Sequence, residues 1–553
     1  MTNYHTVSNS GLLGSSHGVG GTMVQQRRLR SPKMGGGQAS MMSSNINLLN
    51  TIVGAGTLAM PLAMSKFGVT LGVILIVWCG LTSAFGLYLQ SRCSRYLDRG
   101  SSSFFALSQI TYPNAAVVFD AAIAIKCFGV GVSYMIIIGD LMPAVAAAFG
   151  AGNTGWDFLA DRRFWITVFF VIFLIPLSFP KKLDSLKYTS LVALFAIGYL
   201  IILVVYHFVV DDHSGRGPIR LVTWEGPVAA LSSLPVVIFA YTCHQNMFSI
   251  VNEIKDNSPA SLVGVIGSSI GSAASVYVLV AITGYLTFGN EIQGNIVGMY
   301  PQSLASTIAK AAMVFLVTFS VPLQVHPCRA SIDAVLRWRP GRSSRTQNVY
   351  SPPGSGNQPL LPAGGAPSAA LDSHGAPVVA MSELRFALIT SGILILSYLT
   401  AINVDSLDRV LAYVGSTGST AISFILPGLF YYKISDPESI HHQRLTKEDD
   451  DAEYASSSSS SSSASASDGD EEEGTPGPSG SGAGMGESIA SLRSNTGSVA
   501  SRLARKLKRK WRWDLEHLET GLLRKMALGL SIYGVVVMVV CLGMNVVFGH
   551  GGH

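Results

Sequence analysis

Charge is what this sequence has least of. Only 13% of its 553 residues are Asp, Glu, Lys or Arg, against 48% hydrophobic ones, and mean hydropathy is +0.39. So few charges cannot cover the surface of a water-soluble chain of this length. Cysteine is scarce as well. The six residues Cys79, Cys93, Cys127, Cys243, Cys328 and Cys541 all lie in or beside apolar stretches. None stands in a polar loop with a partner at hand, so neither a disulfide framework nor a metal cluster is expected. Residues 1–40 are polar and rich in Gly and Ser. They lack the short apolar core and cleavage site of a secretory signal peptide. Enzyme signatures are missing too: there is no HExxH, GxSxG or P-loop pattern and no paired carboxylates in an apolar run. No enzyme, no cofactor and no nucleic-acid partner is therefore expected.

What the sequence does have is a series of long apolar runs. A helix needs roughly 20 residues to cross a bilayer. Runs of that kind occupy residues 43–67, 69–90, 115–149, 164–179, 188–210, 228–250, 260–288, 304–325 (running on to about 336), 384–403, 410–432 and 526–548. The expected fold class is an all-α integral membrane protein, multi-pass, with about eleven transmembrane helices. The third run is too long for one bilayer and should tilt or project. Outside the runs, 30 Lys and Arg fall on the side of the N-terminus and 6 on the other. That bias puts the N-terminus in the cytosol and residues 550–553 on the opposite face.

Composition divides the chain further. Residues 1–37 read as a disordered cytosolic tail, 38–338 as helices 1 to 8, 339–381 as a Gly-, Pro- and Ser-rich loop and 382–433 as helices 9 and 10. Residues 434–500 carry an acidic run at Glu448–Glu453 and eight serines at Ser456–Ser463. Neither insertion has enough apolar residues to fold, so both read as disordered cytosolic loops. Residues 501–522 are basic, and 523–553 hold the last helix with a short non-cytosolic tail. Within 502–512, seven of eleven residues are Lys or Arg, and Leu503, Leu507 and Trp511 form one stripe. Such a segment either lies as an amphipathic helix on anionic lipid or only fixes the topology of the last span.

Two runs are interrupted at membrane depth. The first contains Gly54, Ala55, Gly56 and Thr57, with Pro61 one turn on. Glycine and proline weaken a helix interior by about 1 and 3 kcal/mol relative to alanine. A break in lipid is tolerated only where it is buried in protein or lines a cavity. Taken alone, this one fits either a ligand site or a kinked packing helix with small residues. The sixth run is polar in its middle, Ala240-Tyr241-Thr242-Cys243-His244-Gln245-Asn246. It opens a second set of five spans that enters from the other face. Interrupted helices at matching positions of two inverted halves mark a transporter site at the midplane.

The stretches SMMSSNINLLNTIVGAGTLAMPLAM, VSYMIIIGDLMP, FAYTCHQNMFSIVNEI and VPLQVHPCRA resemble the amino acid/auxin permease family. Within it they resemble sodium-coupled neutral amino acid transporters and vacuolar amino acid transporters. The resemblance covers about residues 38–433 and 523–548. It implies a LeuT-type fold of five plus five inverted helices and one more, helices 1 and 6 broken. It also implies alternating-access symport of amino acids with sodium or protons. An amino acid needs N–H donors for its carboxylate and carbonyls for its ammonium. Gly54, Ala55, Gly56 and Thr57, with Thr242, Cys243 and Asn246, are the expected substrate set. No charged residue lies in either break, which favours neutral substrates.

For the coupling ion, the resemblance implies a sodium site at Asn50, the Val53 carbonyl, Thr318 and Ser320. Thr and Ser in a helix often bond only their own backbone, which is the competing reading. A proton needs a titratable group, and His244 is the candidate, because imidazole ordinarily titrates near pH 6.5. Asp140, near the non-cytosolic end of span 3, either titrates, caps or pairs. Lys126 lies 14 residues earlier, about 21 Å along a helix, too far to pair with it. Lys310 is expected to snorkel toward the non-cytosolic face. A sensor of amino acids on the same scaffold would use the same residues and stays open. A vacuolar or lysosomal-type membrane is favoured by the resemblance over the plasma membrane.

Overall fold

The computed structural model describes residues 37–97, 100–150, 157–180, 187–211, 216–337, 381–445 and 520–548. The helices in chain order are α1 (Met41–Ile52), α2 (Ala55–Phe67), α3 (Val69–Cys93), α4 (Phe104–Thr111), α5 (Ala116–Ala148), α6 (Arg162–Phe169) and α7 (Ile175–Ser178). Then come α8 (Lys187–Val210), α9 (Pro227–Ala240), α10 (His244–Glu253), α11 (Pro259–Phe288), α12 (Ile296–Met299) and α13 (Leu304–Arg337). The series ends with α14 (Glu383–Asn403), α15 (Leu407–Val414), α16 (Leu426–Ile434) and α17 (Thr520–Phe548). Among the described residues nine helical stretches are long and apolar enough to cross a membrane, and the bent pair α1–α2 makes a tenth. The remaining expected span, the fourth, is shorter: α6 and α7, joined by the π turn Phe170–Leu174, extend only from Arg162 to Ser178. The protein is an integral, multi-pass, all-helical membrane protein.

Local chemistry starts and stops these helices. Ser40 precedes α1 and accepts from the Ser43 N–H at 3.2 Å, filling one of the orphan donors of a first turn. Ser258 does the same for α11, with Pro259 at the first helical position, where its missing N–H costs nothing. Between α2 and α3 the chain reverses at Gly68, whose φ is +75°. A Cβ there would lie 2.4 Å from the Thr223 carbonyl. The segment before α9 folds over that reversal, and the N–H groups of Val69 and Thr70 donate to the Arg220 and Leu221 carbonyls, each at 3.0 Å.

The two longest helices, α5 and α13, lie along one another and form the spine. Against it α2 packs on α9 and α11, α1 packs on α11, and α17 covers α16 and α9. Inward faces bury Leu48, Met60, Tyr241, Tyr277 and Phe424, while Trp78, Leu81, Ile202 and Val536 point outward. An apolar outer surface is what a helix bundle in lipid requires. The expected excess length of span 3 is seen in α5, whose 33 residues rise about 50 Å.

At the far end of α5 the Arg162 Nε donates to Asp140 at 2.9 Å. The same guanidinium reaches Asp405 at 2.9 Å and the Ala401 and Val404 carbonyls. Residues 435–445, read as the start of a disordered loop, are instead tied down. Asp436 accepts from Arg524 at 2.7 Å, and His442 Nδ1 lies 3.0 Å from the Tyr96 hydroxyl. The tail 1–36, the insertions 338–380 and 446–500, the basic segment 501–519 and residues 549–553 lie outside the described residues.

Candidate substrate site at two interrupted helices

Both expected breaks are present, and both are tighter than their sequences suggest. The first is Val53–Gly54, across which α1 and α2 bend by 55°. Ala55, Gly56 and Thr57 already form the first turn of α2. The second is Tyr241–Cys243, and His244, Gln245 and Asn246 form the first turn of α10. Helix resumes at the earliest residue because every unpaired backbone group is costly where water is absent.

A residue with no obvious mark in the sequence joins the two breaks. Tyr277 of α11 is completely buried. Its hydroxyl lies 2.7 Å from the Ile52 carbonyl and 2.8 Å from the Ala240 carbonyl. These are the last residues of α1 and α9, so one phenol serves both helix C-termini. Its only sequence signal is a tyrosine in the middle of an apolar span.

The two helices that restart here do so without side-chain caps: Gly54 precedes α2, Cys243 precedes α10, and neither side chain bonds the first turn. Their first N–H groups point at the break, where helix dipoles favour negative charge. The glycines differ. A Cβ at Gly54 would meet nothing nearer than the Tyr134 hydroxyl at 4.0 Å. A Cβ at Gly56 would lie 2.6 Å from the Ala240 Cβ and 2.8 Å from its Cα. Gly54 therefore borders open space, and Gly56 lets α2 approach α9. Thr57 is fully buried beside Tyr277 and its hydroxyl makes no well-directed hydrogen bond. Thr242 donates to the Ile238 carbonyl at 2.9 Å and accepts from Ser423 at 3.4 Å. Cys243 is fully buried at the break. Asn246 donates to the Thr51 hydroxyl at 2.8 Å, tying α10 to α1.

The residues expected to serve the ion come from α1, α5, α10 and α13 and from the first break. Asn50 Oδ1 is buried with no hydrogen-bond partner. The Val53 N–H donates to the Leu49 carbonyl, closing α1. Thr318 and Ser320 donate to the Val314 and Leu316 carbonyls at 2.7 and 2.8 Å, within their own helix α13. His244 is fully buried, and its ring turns to α3, with Nε2 3.2 Å from the Ser83 carbonyl. That geometry assigns the proton to Nε2; Nδ1 has no partner. Gly86 makes the room, since a Cβ there would lie 2.8 Å from Nε2. Asp140 is engaged by Arg162, six residues beyond Tyr134 and about 9 Å further along α5. Lys310 does not snorkel: it is buried and donates to the Tyr300 carbonyl at 3.0 Å.

Residues 37–450 match the family described as transmembrane amino acid transporter protein. Vacuolar amino acid transporter 6 of Saccharomyces cerevisiae is 43% identical over 417 residues, which is 72% of this chain and 91% of that one. Vacuolar amino acid transporter 5 of Schizosaccharomyces pombe is 43% identical over 400 residues, 72% of this chain and 86% of that one. Sodium-coupled neutral amino acid transporter 7 of Mus musculus is 26% identical over 310 residues, 55% of this chain and 66% of that one. Among solved structures, the inward facing conformation of Mhp1 has a TM-score of 0.46 at 12% identity, over 72% of this chain and 77% of that one. With three quarters of its length matched, and the interrupted helices inside the match, the chain belongs to the transmembrane amino acid transporter family.

Proposed function

We propose that this protein is a secondary active transporter that moves neutral L-amino acids by alternating access, driven by protons, across a vacuolar or lysosomal-type membrane. The observation that carries this reading is the pair of uncapped helix starts, α2 and α10, each following a helix whose last carbonyl accepts from Tyr277. A substrate carboxylate fits the free N–H groups of Ala55 and Gly56. Carbonyls of the last turns of α1 and α9 suit the ammonium, and the open side of Gly54 admits the backbone of the ligand. Thr57 offers a hydroxyl. The breaks Val53–Gly54 and Tyr241–Cys243 are the natural hinges, because they separate α1 and α10 on the cytosolic side from α2 and α9 on the other. No acidic or basic side chain belongs to either break, in keeping with neutral side chains on the substrate.

The vacuolar membrane follows the names of the relatives in yeasts. A sodium-driven mechanism is the second reading. It is favoured by the unpartnered Asn50 Oδ1 and by the name of the mouse relative. Flux of a radiolabelled amino acid mixture into vesicles holding the purified chain tests all of this. Uptake that follows a pH gradient in sodium-free buffer is expected. Strict dependence on sodium with no response to pH would replace protons by sodium, and binding without flux would make the protein a sensor.

A further inference from the structure

Lys126 of α5 is a lysine at membrane depth with only 4% of its surface accessible. No carboxylate, carbonyl or hydroxyl among the described residues accepts a hydrogen bond from it. The two acidic residues of α5 do not serve it. Asp120 lies six residues away on another side of the helix, and Asp140 is held by Arg162 about 21 Å further on. The titratable groups that its charge reaches are Cys127 beside it, and Cys243 and His244 of the second break. From the π turn Gly415–Ser419 between α15 and α16, Gly418 closes over it: a Cβ at that position would lie 2.8 Å from the Lys126 Cβ. From α13, Cys328 donates to the carbonyl of Ala124, two residues before Lys126. Along α5, Lys126 stands eight residues to the cytosolic side of Tyr134, about 12 Å below the open face of Gly54.

An unpaired ammonium in such a place is costly, and a membrane protein keeps one for function. Two things make it tolerable: an anion nearby, or loss of the proton. The anion is the substrate carboxylate seated at the start of α2, which Lys126 does not touch but whose charge acts on it from about 12 Å away. We propose that Lys126 is the proton-carrying group of the transport cycle. Its Nζ lone pair takes a proton from water on the side to which the loaded site is open. The ammonium is retained while the amino acid occupies its own site at the two breaks, which Lys126 does not line. The proton returns to water on the other side when the amino acid leaves, and no other bond changes. This rests on the proton-driven reading above and moves the coupling role from His244, whose ring is committed to the Ser83 carbonyl.

The test uses the full chain in sodium-free vesicles and a radiolabelled mixture of neutral L-amino acids. Two rates are compared: accumulation driven by a pH gradient, and counterflow exchange with no gradient. Lys126→Gln should lower driven accumulation about tenfold or more, leave counterflow within about threefold, and flatten the dependence of uptake on pH between about 5 and 8. Lys126→Arg keeps size and charge but does not release its proton, so it should fail in the same way. Wild-type driving in Lys126→Gln would overturn the assignment while leaving the proton reading intact. Full activity in Lys126→Arg would overturn it in favour of a structural charge. Loss of counterflow in both variants would overturn it too, because exchange does not need a coupling group. A wild-type protein that follows sodium and ignores pH would remove both readings together.

Discussion

A methyl group added at Gly56 would overlap the Cβ and Cα of Ala240, whereas the same group at Gly54 meets open space. The two glycines stand two residues apart in one motif, yet the structure gives them different roles. Gly56→Val should prevent α2 from seating on α9, and the protein should fail to reach its membrane in normal amount. Gly54→Val should leave folding and trafficking intact and abolish transport, because the branched side chain fills the open space proposed for the ligand. Abundance in the vacuolar-type membrane and uptake by vesicles made from it separate the two, and equal behaviour of the variants would contradict the assignment. Tyr277→Phe should act differently again. It leaves the Ile52 and Ala240 carbonyls buried without a donor, a loss of about 1–3 kcal/mol for an unsatisfied group. A lower melting temperature in detergent together with slower transport is the expected result.

Individual helices show how far pattern alone can reach. The length of the apolar runs located the spans, most of them within a few residues, and serine caps mark the starts of α1, α4, α11, α14 and α15. Break widths were less legible, because Gly54–Thr57 and Ala240–Asn246 look irregular in sequence but mostly belong to the first turns of α2 and α10. Arg162 makes a prediction at this scale. It joins α5 and α6 to the segment between α14 and α15 through Asp140, Asp405 and two carbonyls. Arg162→Gln strands Asp140 and should destabilise the fold by up to about 3 kcal/mol, read as a lower melting temperature. Asp140→Asn should also destabilise, while leaving the pH dependence of transport unchanged. A shifted pH profile in Asp140→Asn would restore Asp140 as a coupling group.

For the whole molecule, the Lys and Arg bias of the sequence predicts a cytosolic N-terminus, and on that expectation both low-complexity insertions fall on the cytosolic side. The basic segment adds a test that does not depend on transport. A peptide covering Ser501–His517 should bind vesicles containing anionic lipid, become helical there and dissociate as salt rises. The expected attraction is about 1 kcal/mol for each basic residue near the surface. A peptide that stays unbound and unstructured at low salt would reduce this segment to a topology signal. Deleting residues 345–375 should leave uptake unchanged, because the interrupted helices and their neighbours lie elsewhere in the chain.

Membrane residence, the helical class, the approximate spans and the two interruptions were all legible in the sequence. They follow from hydropathy, from the intolerance of lipid for unpaired backbone and from the rarity of polar residues at that depth. What the side chains do at the interruptions was not legible, because it depends on partners far away in sequence. Tyr277 meets Ile52 and Ala240, Asn246 meets Thr51, His244 meets Ser83, and Asp140 meets Arg162. A hydroxyl, an amide or an imidazole looks the same in sequence whether it is committed to a backbone carbonyl or free to meet a ligand. Only tertiary packing decided which donors were already used, which glycine faced a void and which buried lysine was left without an anion.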